Sequence, residues 1–142
     1  MRVAMGSDHA GLELKRVLAD HLRVAGHDVL DLGTDDERSC DYPDFAKAVC
    51  DVVLSGTAER GILVCGTGQG MAMTANKVPG IRAAVVSDTF SARMAMLHND
   101  ARVLCMGQRV VGAGLAVEIL NAWLSASFEG GRHANRVAKM EP

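Results

Sequence analysis

Short apolar runs alternate along this chain with longer stretches in which apolar residues recur every three or four positions. The short runs end at glycine or polar residues, which is typical of buried β-strands. We predict strands at 2–6, 28–33, 61–65, 81–86 and 103–106. The stretches that follow them have the spacing of helices that cover a core. The predicted helices lie at 14–22, 45–53, about 71–77, about 89–97 and 115–123.

This strict alternation predicts an α/β fold. Strands that are apolar on both faces need helices on both sides, so we expect a three-layer α/β/α sandwich. Its five-stranded sheet should be parallel and Rossmann-like, because each strand is followed by a helix. We predict a single domain over 1–142 that ends in a C-terminal helical extension. The pattern leaves the strand order open, but ligands of such sheets bind beside the loops after the strands.

Charge and composition limit the classes of partner. A formal net charge of -2 gives no basic field for nucleic acid, and no apolar run reaches the roughly 20 residues of a membrane span. No targeting leader precedes the first strand, so we expect a cytoplasmic protein. The four cysteines form neither a CxxC pair nor a zinc-ligand spacing, which indicates reduced thiols and no bound metal.

Three alternate glycines, Gly66, Gly68 and Gly70, follow the third predicted strand. Glycines let backbone N–H groups turn toward an anionic ligand, although a tight turn between a strand and a helix also needs glycine. The spacing differs from that of nucleotide-binding loops. Met71 stands where a dinucleotide fingerprint has its third glycine, and Thr67 stands where a phosphate-binding P-loop has its lysine.

Cys65 ends the buried strand directly before these glycines. Neighbouring N–H groups and a helix N-terminus favour a thiolate there, whereas most strand cysteines are inert, as we expect for Cys50 and Cys105. His98 is a candidate for proton transfer, and the alternative role is a helix C-terminal cap. Because it lies just before the fifth strand, we expect the His98 imidazole to point to the edge of the glycine loop. Asp8, after the first strand, is also a good helix N-cap.

Arginines form the candidate phosphate site. Arg132 and Arg136 are four residues apart and share one face if the tail is helical, with His133 between them. Arg109 follows the fifth strand, at the edge where ligands bind. Guanidinium groups bind phosphate oxygens in pairs and stay charged at any relevant pH. The alternative is a basic tail that is only solvated.

Several short motifs occur together, and their order and spacing are specific although each motif is weak alone. The motifs are Gly6-Ser-Asp-His-Ala-Gly11, Asp41-Tyr-Pro43, Cys65-Gly-Thr-Gly-Gln-Gly70, Asn76-Lys77, His98-Asn-Asp100 and Gly130-Gly-Arg-His133. Over almost its whole length the chain thereby resembles the ribose-5-phosphate isomerase B family, within a wider group that includes galactose-6-phosphate isomerase subunits. The resemblance implies an aldose–ketose isomerase of the non-oxidative pentose phosphate pathway. It further implies no cofactor and a homodimer, or a dimer of dimers, with active sites between subunits.

The resemblance also implies roles for single residues. Cys65 removes the proton from C2 of ribose 5-phosphate to give ribulose 5-phosphate through an enediolate, and His98 assists ring opening. Thr67 is a candidate for moving a proton between sugar oxygens. The residues expected to contact the sugar are Asp8, His9, Tyr42, Gly66, Thr67, Gly68, Gln69, Gly70 and Asn99. The residues expected to hold the phosphate are Arg109, Arg132 and Arg136. We expect the tail from about residue 127 to pack on the partner subunit.

Other functions stay open at this point. A hexose phosphate such as allose 6-phosphate offers the same phosphate and C1–C2 contacts, so sequence does not separate the two substrates. Met71 stands where some relatives carry a glutamate base, which places this chain with the cysteine-dependent members. A sugar-phosphate sensor without catalysis would keep the same pocket. A nucleotide-dependent oxidoreductase is favoured only by the partial glycine fingerprint and by Asp88 beyond it.

Overall fold

The computed structural model describes residues 1–142, and its elements alternate as the pattern predicts. The strands are β1 Arg2–Ser7, β2 Asp28–Asp31, β3 Arg60–Cys65, β4 Ala83–Val85 and β5 Val103–Gly107. The helices are α1 Leu12–Val24, α2 Tyr42–Leu54, α3 Gln69–Asn76, α4 Thr89–Asn99, α5 Ala113–Leu124 and α6 Arg132–Met140. A 3-10 turn at His9–Gly11 leads from β1 into α1.

All five strands are parallel, in the order β2-β1-β3-β5-β4. The predicted α/β fold with a five-stranded parallel sheet is confirmed. The order adds what the pattern left open: the connection after β1 runs to one side of the sheet, and the connection after β3 runs to the other. Where the direction reverses, a crevice opens above the carboxyl ends of the two strands. The ligand site is therefore expected between β1 and β3.

Two apolar cores cover the two faces of the sheet. Because side chains alternate along a strand, Val3 and Met5 face α1, α4 and α5, while Ala4 faces α2 and α3. The first core contains Trp123, whose indole N–H donates to the Ala101 carbonyl oxygen over 2.8 Å. The central strands β1, β3 and β5 are buried on both faces, which explains why they form continuous apolar runs.

The two outer strands are shorter than the pattern predicts. The expected ranges were 28–33 and 81–86, but β2 has four residues and β4 has three. Each pairs with one neighbour only, so fewer hydrogen bonds hold its ends in the sheet. Beyond β2, the Gly33 N–H donates to the Asp31 carboxylate over 2.9 Å, while the Gly33 carbonyl oxygen still accepts the Ser7 N–H over 2.7 Å. Ile81 instead packs into the core under α2 and α3.

The C-terminal extension is helical, as expected, and α6 returns to α4 of the same chain. Before α6, the backbone N–H of Glu129 donates to the Leu97 carbonyl oxygen over 3.0 Å. After α6, Glu141 pairs with the guanidinium of Arg82. Whether this tail also packs on a second subunit stays a prediction. Every helix of the molecule is too short or too polar to cross a bilayer.

Candidate active site

The carboxyl ends of β1, β3 and β5 bring one group of predicted site residues to a single edge of the sheet. These residues are Asp8 and His9 after β1, the loop 66–70 after β3 and Arg109 after β5. The backbone N–H groups of Gln108 and Arg109 donate to the carbonyl oxygens of Cys65 and Gly66 over 2.9 and 3.0 Å. These two hydrogen bonds tie the loop after β5 to the glycine loop.

Cys65 differs from the other buried cysteines. The Gly68 N–H donates to the Cys65 Sγ over 3.1 Å, so this sulfur has a backbone hydrogen-bond donor. The side chain of Cys65 is 5 % exposed, whereas Cys50 and Cys105 are fully buried. Burial raises the pKa of Cys50 to about 11 and the pKa of Cys105 well above its usual range. Those two thiols therefore stay protonated at neutral pH, in line with the inert role expected for them.

The glycine loop has a conformation that larger residues do not allow. Gly68 is left-handed, with a φ of 81°, and it is the N-cap of α3. A Cβ at this position would lie 2.9 Å from Val85 Cγ2 and 3.0 Å from the Met106 carbonyl carbon. A Cβ at Gly70 would overlap the ring of Tyr42, so the missing side chain lets Tyr42 pack against the loop. Tight packing and ligand binding both explain these glycines, and the two explanations are compatible.

The polar residues within the loop face solvent. Thr67 and Gln69 are exposed, and the backbone N–H of Gln69 donates to the Thr67 Oγ1 over 3.3 Å. The Thr67 hydroxyl keeps its own proton for another acceptor, because it is the acceptor in this contact. A hydroxyl in this arrangement can give a proton to a bound sugar oxygen.

Asp8 and His9, at the start of the 3-10 turn, are both held by hydrogen bonds from backbone N–H groups. The Asp8 Oδ1 accepts the N–H groups of Ala10 and Gly11 over 3.0 and 3.1 Å, so the N-cap role is confirmed. The His9 Nδ1 accepts the Cys40 N–H over 3.3 Å. In the neutral ring the proton then lies on Nε2, which can donate to an anion. Sequence reasoning missed the contact from Cys40, because that residue lies in a loop without periodicity.

His98 lies at the opposite edge of the sheet, and the expectation that it points to the glycine loop is wrong within one chain. After β4, helix α4 runs back to the amino edge so that parallel β5 can begin, and His98 is in its last turn. Arg82, just before β4, fixes this end by donating to the Asn99 carbonyl oxygen over 2.8 Å. The 11 residues of α4 span about 16 Å, so His98 does not reach Cys65 of its own chain.

The remaining predicted residues gather around His98. Its ring stacks on that of His133, with centroids 4.2 Å apart and planes within 10° of parallel. Arg132 and Arg136 are exposed on α6, and the tail is helical as their shared face required. One chain thus carries two separate groups of predicted site residues, which we call half-sites. The carboxyl-edge half-site consists of Asp8, His9, Tyr42, Cys65, the loop 66–70 and Arg109, and the α4–α6 half-site consists of His98, Asn99, Arg132, His133 and Arg136.

His133 is the buried residue of the α4–α6 half-site, with 7 % of its surface exposed. Burial lowers its pKa, and the nearby charges of His98, Arg132 and Arg136 lower it further against the opposing effect of Glu129. The imidazole is therefore neutral at pH 7. Its Nε2 lies 3.5 Å from the Glu129 Oε2, which is too long for a strong hydrogen bond.

Comparison with known proteins decides the family. The family model described as Ribose/Galactose Isomerase matches residues 3–140. The chain belongs to the ribose/galactose isomerase family. Ribose-5-phosphate isomerase B of Escherichia coli (strain K12) is 47% identical over 136 residues, which cover 96% of this chain and 91% of that relative. The resemblance found in the motifs is confirmed, and the chain is an isomerase.

Solved structures of ribose-5-phosphate isomerase B have the same fold as this isomerase. The protein of Clostridium thermocellum is 53% identical, with a TM-score of 0.98 over 99% of this chain and 95% of that chain. The protein of Mycoplasma genitalium, solved with bound ribulose-5-phosphate, is 42% identical, with a TM-score of 0.94 over 98% of this chain and 93% of that chain. The family likeness therefore extends from local motifs to the whole backbone.

The oxidoreductase alternative loses support in this isomerase. That alternative rested on the partial glycine fingerprint and on Asp88. The Asp88 carboxylate accepts the Ser91 N–H over 2.6 Å at the start of α4, and this hydrogen bond lowers the pKa of the carboxyl. Asp88 therefore has a role as a helix N-cap.

The ligand atoms of His98, Glu129 and His133 lie within 4.8 Å of one another, close enough for a metal ion. However, the two stacked rings present π faces to each other, and two arginines nearby repel a cation, so we assign no metal there.

Lys15 supports the carboxyl-edge half-site of the isomerase, and sequence reasoning missed it. Its side chain is 1 % exposed, and its Nζ donates to the Asp31 carboxylate and the Thr34 carbonyl oxygen over 2.6 Å each. These bonds hold the loop that leads from β2 toward His9. A usable signal existed, since Lys15 lies three residues before Leu18 on the apolar stripe of α1.

Two cavities of a single chain lie beside the two half-sites, but neither is lined by Cys65 or by His98. One cavity of about 480 Å³ borders the glycine loop, with Tyr42 and Gly70 in its wall. Another of about 420 Å³ lies at the amino edge, with Arg82 and Asn99 in its wall. Neither contains residues of both half-sites. A complete site with all the predicted residues would need a second chain.

Proposed function

We propose that this isomerase interconverts D-ribose 5-phosphate and D-ribulose 5-phosphate through an enediolate. The observation that carries the proposal is the hydrogen bond from the Gly68 N–H to the Cys65 Sγ, over 3.1 Å, at the carboxyl end of β3. A thiolate at this position is a base, and the N–H groups of the same loop stabilise the negative charge that develops on the sugar. The similarity to ribose-5-phosphate isomerase B of Escherichia coli and of Mycoplasma genitalium supports the choice of a pentose phosphate.

The proposed proton transfers leave the enzyme unchanged after one turnover. Cys65 Sγ takes the proton from C2 of the open-chain aldose, and the electron pair moves through the C1–C2 bond onto the oxygen at C1. The thiol then returns its proton to C1. The proton of the C2 hydroxyl moves to the oxygen at C1, and Thr67 passes or orients it. The product carries a carbonyl at C2 and a CH₂OH group at C1, with no net gain of protons.

Ring opening comes before this step, because the furanose form has no free carbonyl. The C1–O4 bond breaks, O4 gains a proton and the hydroxyl at C1 loses one. We assign the proton transfer to His98 of the partner subunit. The support for this assignment is geometric: His98 and Cys65 of one chain lie at opposite edges of the sheet. In a two-fold dimer each α4–α6 half-site would complete the carboxyl-edge half-site of the other subunit.

The phosphate would bind far from the reacting carbons. Arg109 of one subunit, with Arg132 and Arg136 of the other, would surround it, and His9 would donate from Nε2. Asp8, Tyr42 and Asn99 would contact the hydroxyl groups in between. Binding energy from the distant phosphate would hold the open chain in position for proton transfer. A sugar without phosphate should therefore lose turnover as well as affinity.

One substrate panel tests this proposal. Ribose 5-phosphate, allose 6-phosphate, galactose 6-phosphate and free ribose are incubated with the protein in deuterated water, and deuterium at C1 and C2 is followed by NMR. We expect the highest kcat/KM for ribose 5-phosphate and a loss of both kcat and affinity for free ribose. A preference for allose 6-phosphate would reassign the substrate. Binding of ribose 5-phosphate without any exchange would mean a sensor and would overturn the isomerase proposal.

A further inference from the structure

The proposed reaction gives no task to Glu129 and none to the ring of His133, yet both contact the helical turn that carries His98. The Glu129 backbone N–H donates to the carbonyl oxygen of Leu97, the residue before His98, over 3.0 Å. The His133 ring stacks on the His98 ring at a centroid distance of 4.2 Å. The Glu129 carboxylate lies 3.5 Å from the His133 Nε2. Together these contacts surround the turn that carries the His98 imidazole.

We propose that His133, in the segment that the Glu129 backbone holds against α4, is a positioning residue that holds the His98 ring in the plane needed to open the sugar ring. This inference rests on the role proposed for His98. It assigns no substrate contact to His133. The His98 side chain is half-buried near the end of a helix, where side chains keep more freedom than in a core, so an external contact is needed to fix its ring.

The position of His133 is itself fixed. Its backbone N–H donates to the Gly130 carbonyl oxygen over 3.0 Å in the turn that begins α6, and its side chain is buried. Glu129 holds the start of this segment against α4 through its backbone, while its carboxylate stays half-exposed. Because the His133 ring is buried, it limits the rotation of the His98 ring stacked on it.

The charges around the stack suit an imidazole that alternates between two protonation states. Arg132, Arg136 and Glu129 face His133 from α6 and the segment before it, and His98 faces it from α4. Two positively charged rings at this distance would repel each other. Because His133 stays neutral, it presents an aromatic face to His98 whether or not His98 carries the extra proton. His98 can then gain and lose a proton while its ring stays stacked on the His133 ring.

Three variants of His133 and a partial reaction test the inference. The first readout is steady-state turnover of ribose 5-phosphate, which requires ring opening. The second is exchange of the C1 proton of ribulose 5-phosphate with deuterated water, which needs the Cys65 base but no ring opening, because this ketose has its C5 oxygen phosphorylated. The variants are His133→Ala, which removes the stack, His133→Phe, which keeps a neutral ring, and His133→Gln, which keeps polarity without a ring.

We expect His133→Ala and His133→Gln to lower kcat for ribose 5-phosphate about 10-fold, a fraction of the 10²- to 10⁴-fold effect of a general acid. KM should change little, and C1 exchange should stay at the wild-type rate. His133→Phe should restore turnover, and Glu129→Gln should leave it unchanged, because Glu129 acts mainly through its backbone. A raised KM at unchanged kcat would make His133 a phosphate ligand and overturn the inference. Equal loss of turnover and exchange, or no rescue by phenylalanine, would overturn it as well.

His98→Ala separates failure of this inference from failure of the proposed function. If His98→Ala keeps full turnover of ribose 5-phosphate, the role proposed for His98 is wrong and the inference falls with it. If His98→Ala loses turnover while His133→Ala does not, the role of His98 stands and only the positioning by His133 is wrong. Circular dichroism and the urea midpoint of each variant show that the compared proteins are folded.

Discussion

Cys65 lies at the carboxyl ends of the parallel strands, and His98 lies at their amino ends, about the length of α4 away. The direction of α4 follows from the parallel strands on either side of it, so no local rearrangement brings the two residues together. If both act on one sugar, they must come from different subunits. The proposed chemistry therefore requires that the protein forms at least a dimer.

Mixing two inactive variants tests the shared site. Cys65→Ala lacks the base and His98→Ala lacks the ring-opening residue, so each homodimer is expected to be inactive. In a hybrid dimer one of the two sites contains neither substitution. After unfolding and refolding of an equal mixture, we expect about one quarter of the wild-type activity, because half of randomly formed dimers are hybrids with one intact site.

The control for this experiment is a mixture of either variant with itself, treated identically. If the mixed sample stays inactive although size-exclusion chromatography and differently tagged subunits show hybrid dimers, the site is not shared between subunits. The assignment of His98 to the partner subunit would then be wrong.

The backbone donor to Cys65 should matter as much as the base. Gly68→Ala places a Cβ at a left-handed residue and within 3.0 Å of two neighbours, so the loop must shift. We expect kcat to fall by about 10² to 10³, the effect of losing one oxyanion donor. Gly114→Ala is the matched control, since no atom lies within 4 Å of its Cβ position. That variant should keep its turnover; full turnover of Gly68→Ala would argue against a role for the loop N–H.

Acid should weaken the fold partly through His133. Its folded-state pKa is below the usual value because of burial and the charges of His98, Arg132 and Arg136, partly offset by Glu129. Between that value and an unfolded pKa of about 6.5, the unfolded chain binds more protons, so the free energy of unfolding falls as pH falls. Well above a pH of about 6.5, His133 is neutral in both the folded and the unfolded chain, so its titration no longer lowers the free energy of unfolding.

Urea unfolding of the wild type and of His133→Phe across this pH range measures the effect. The wild type should lose stability more steeply on acidification than His133→Phe, whose ring does not titrate. Parallel pH profiles for the two proteins would show that His133 binds protons equally in the folded and unfolded states. His27→Phe is a useful control, because His27 contacts the N-terminal amino group and is not part of the stacked pair of His98 and His133.

The sequence predicted the features that depend on neighbours along the chain. Buried strands are continuous apolar runs, so β1, β3 and β5 were found almost to the residue. The loop from Cys65 to Gly70 was also found, because left-handed and closely packed positions require glycine and punctuate the pattern.

Features set by pairing across the sheet could not be read from local pattern. The strand order and the short edge strands depend on which strands meet, and several orders satisfy the same pattern. The buried ion pair of Lys15 with Asp31 also depends on such a meeting. The misplacement of His98 was avoidable: a helix that ends just before a parallel strand ends at the amino edge, whatever the strand order.

The most direct test of the account is proton exchange catalysed by Cys65→Ala, with Cys50→Ala as the matched control. Both variants lose one buried thiol, but only Cys65 accepts a backbone N–H at sulfur. In deuterated water with ribulose 5-phosphate, we expect Cys65→Ala to lose C1 exchange by about 10² to 10⁴, the contribution of a positioned base, and Cys50→Ala to keep it. Exchange by folded Cys65→Ala at the wild-type rate would contradict the assignment of Cys65 as the base.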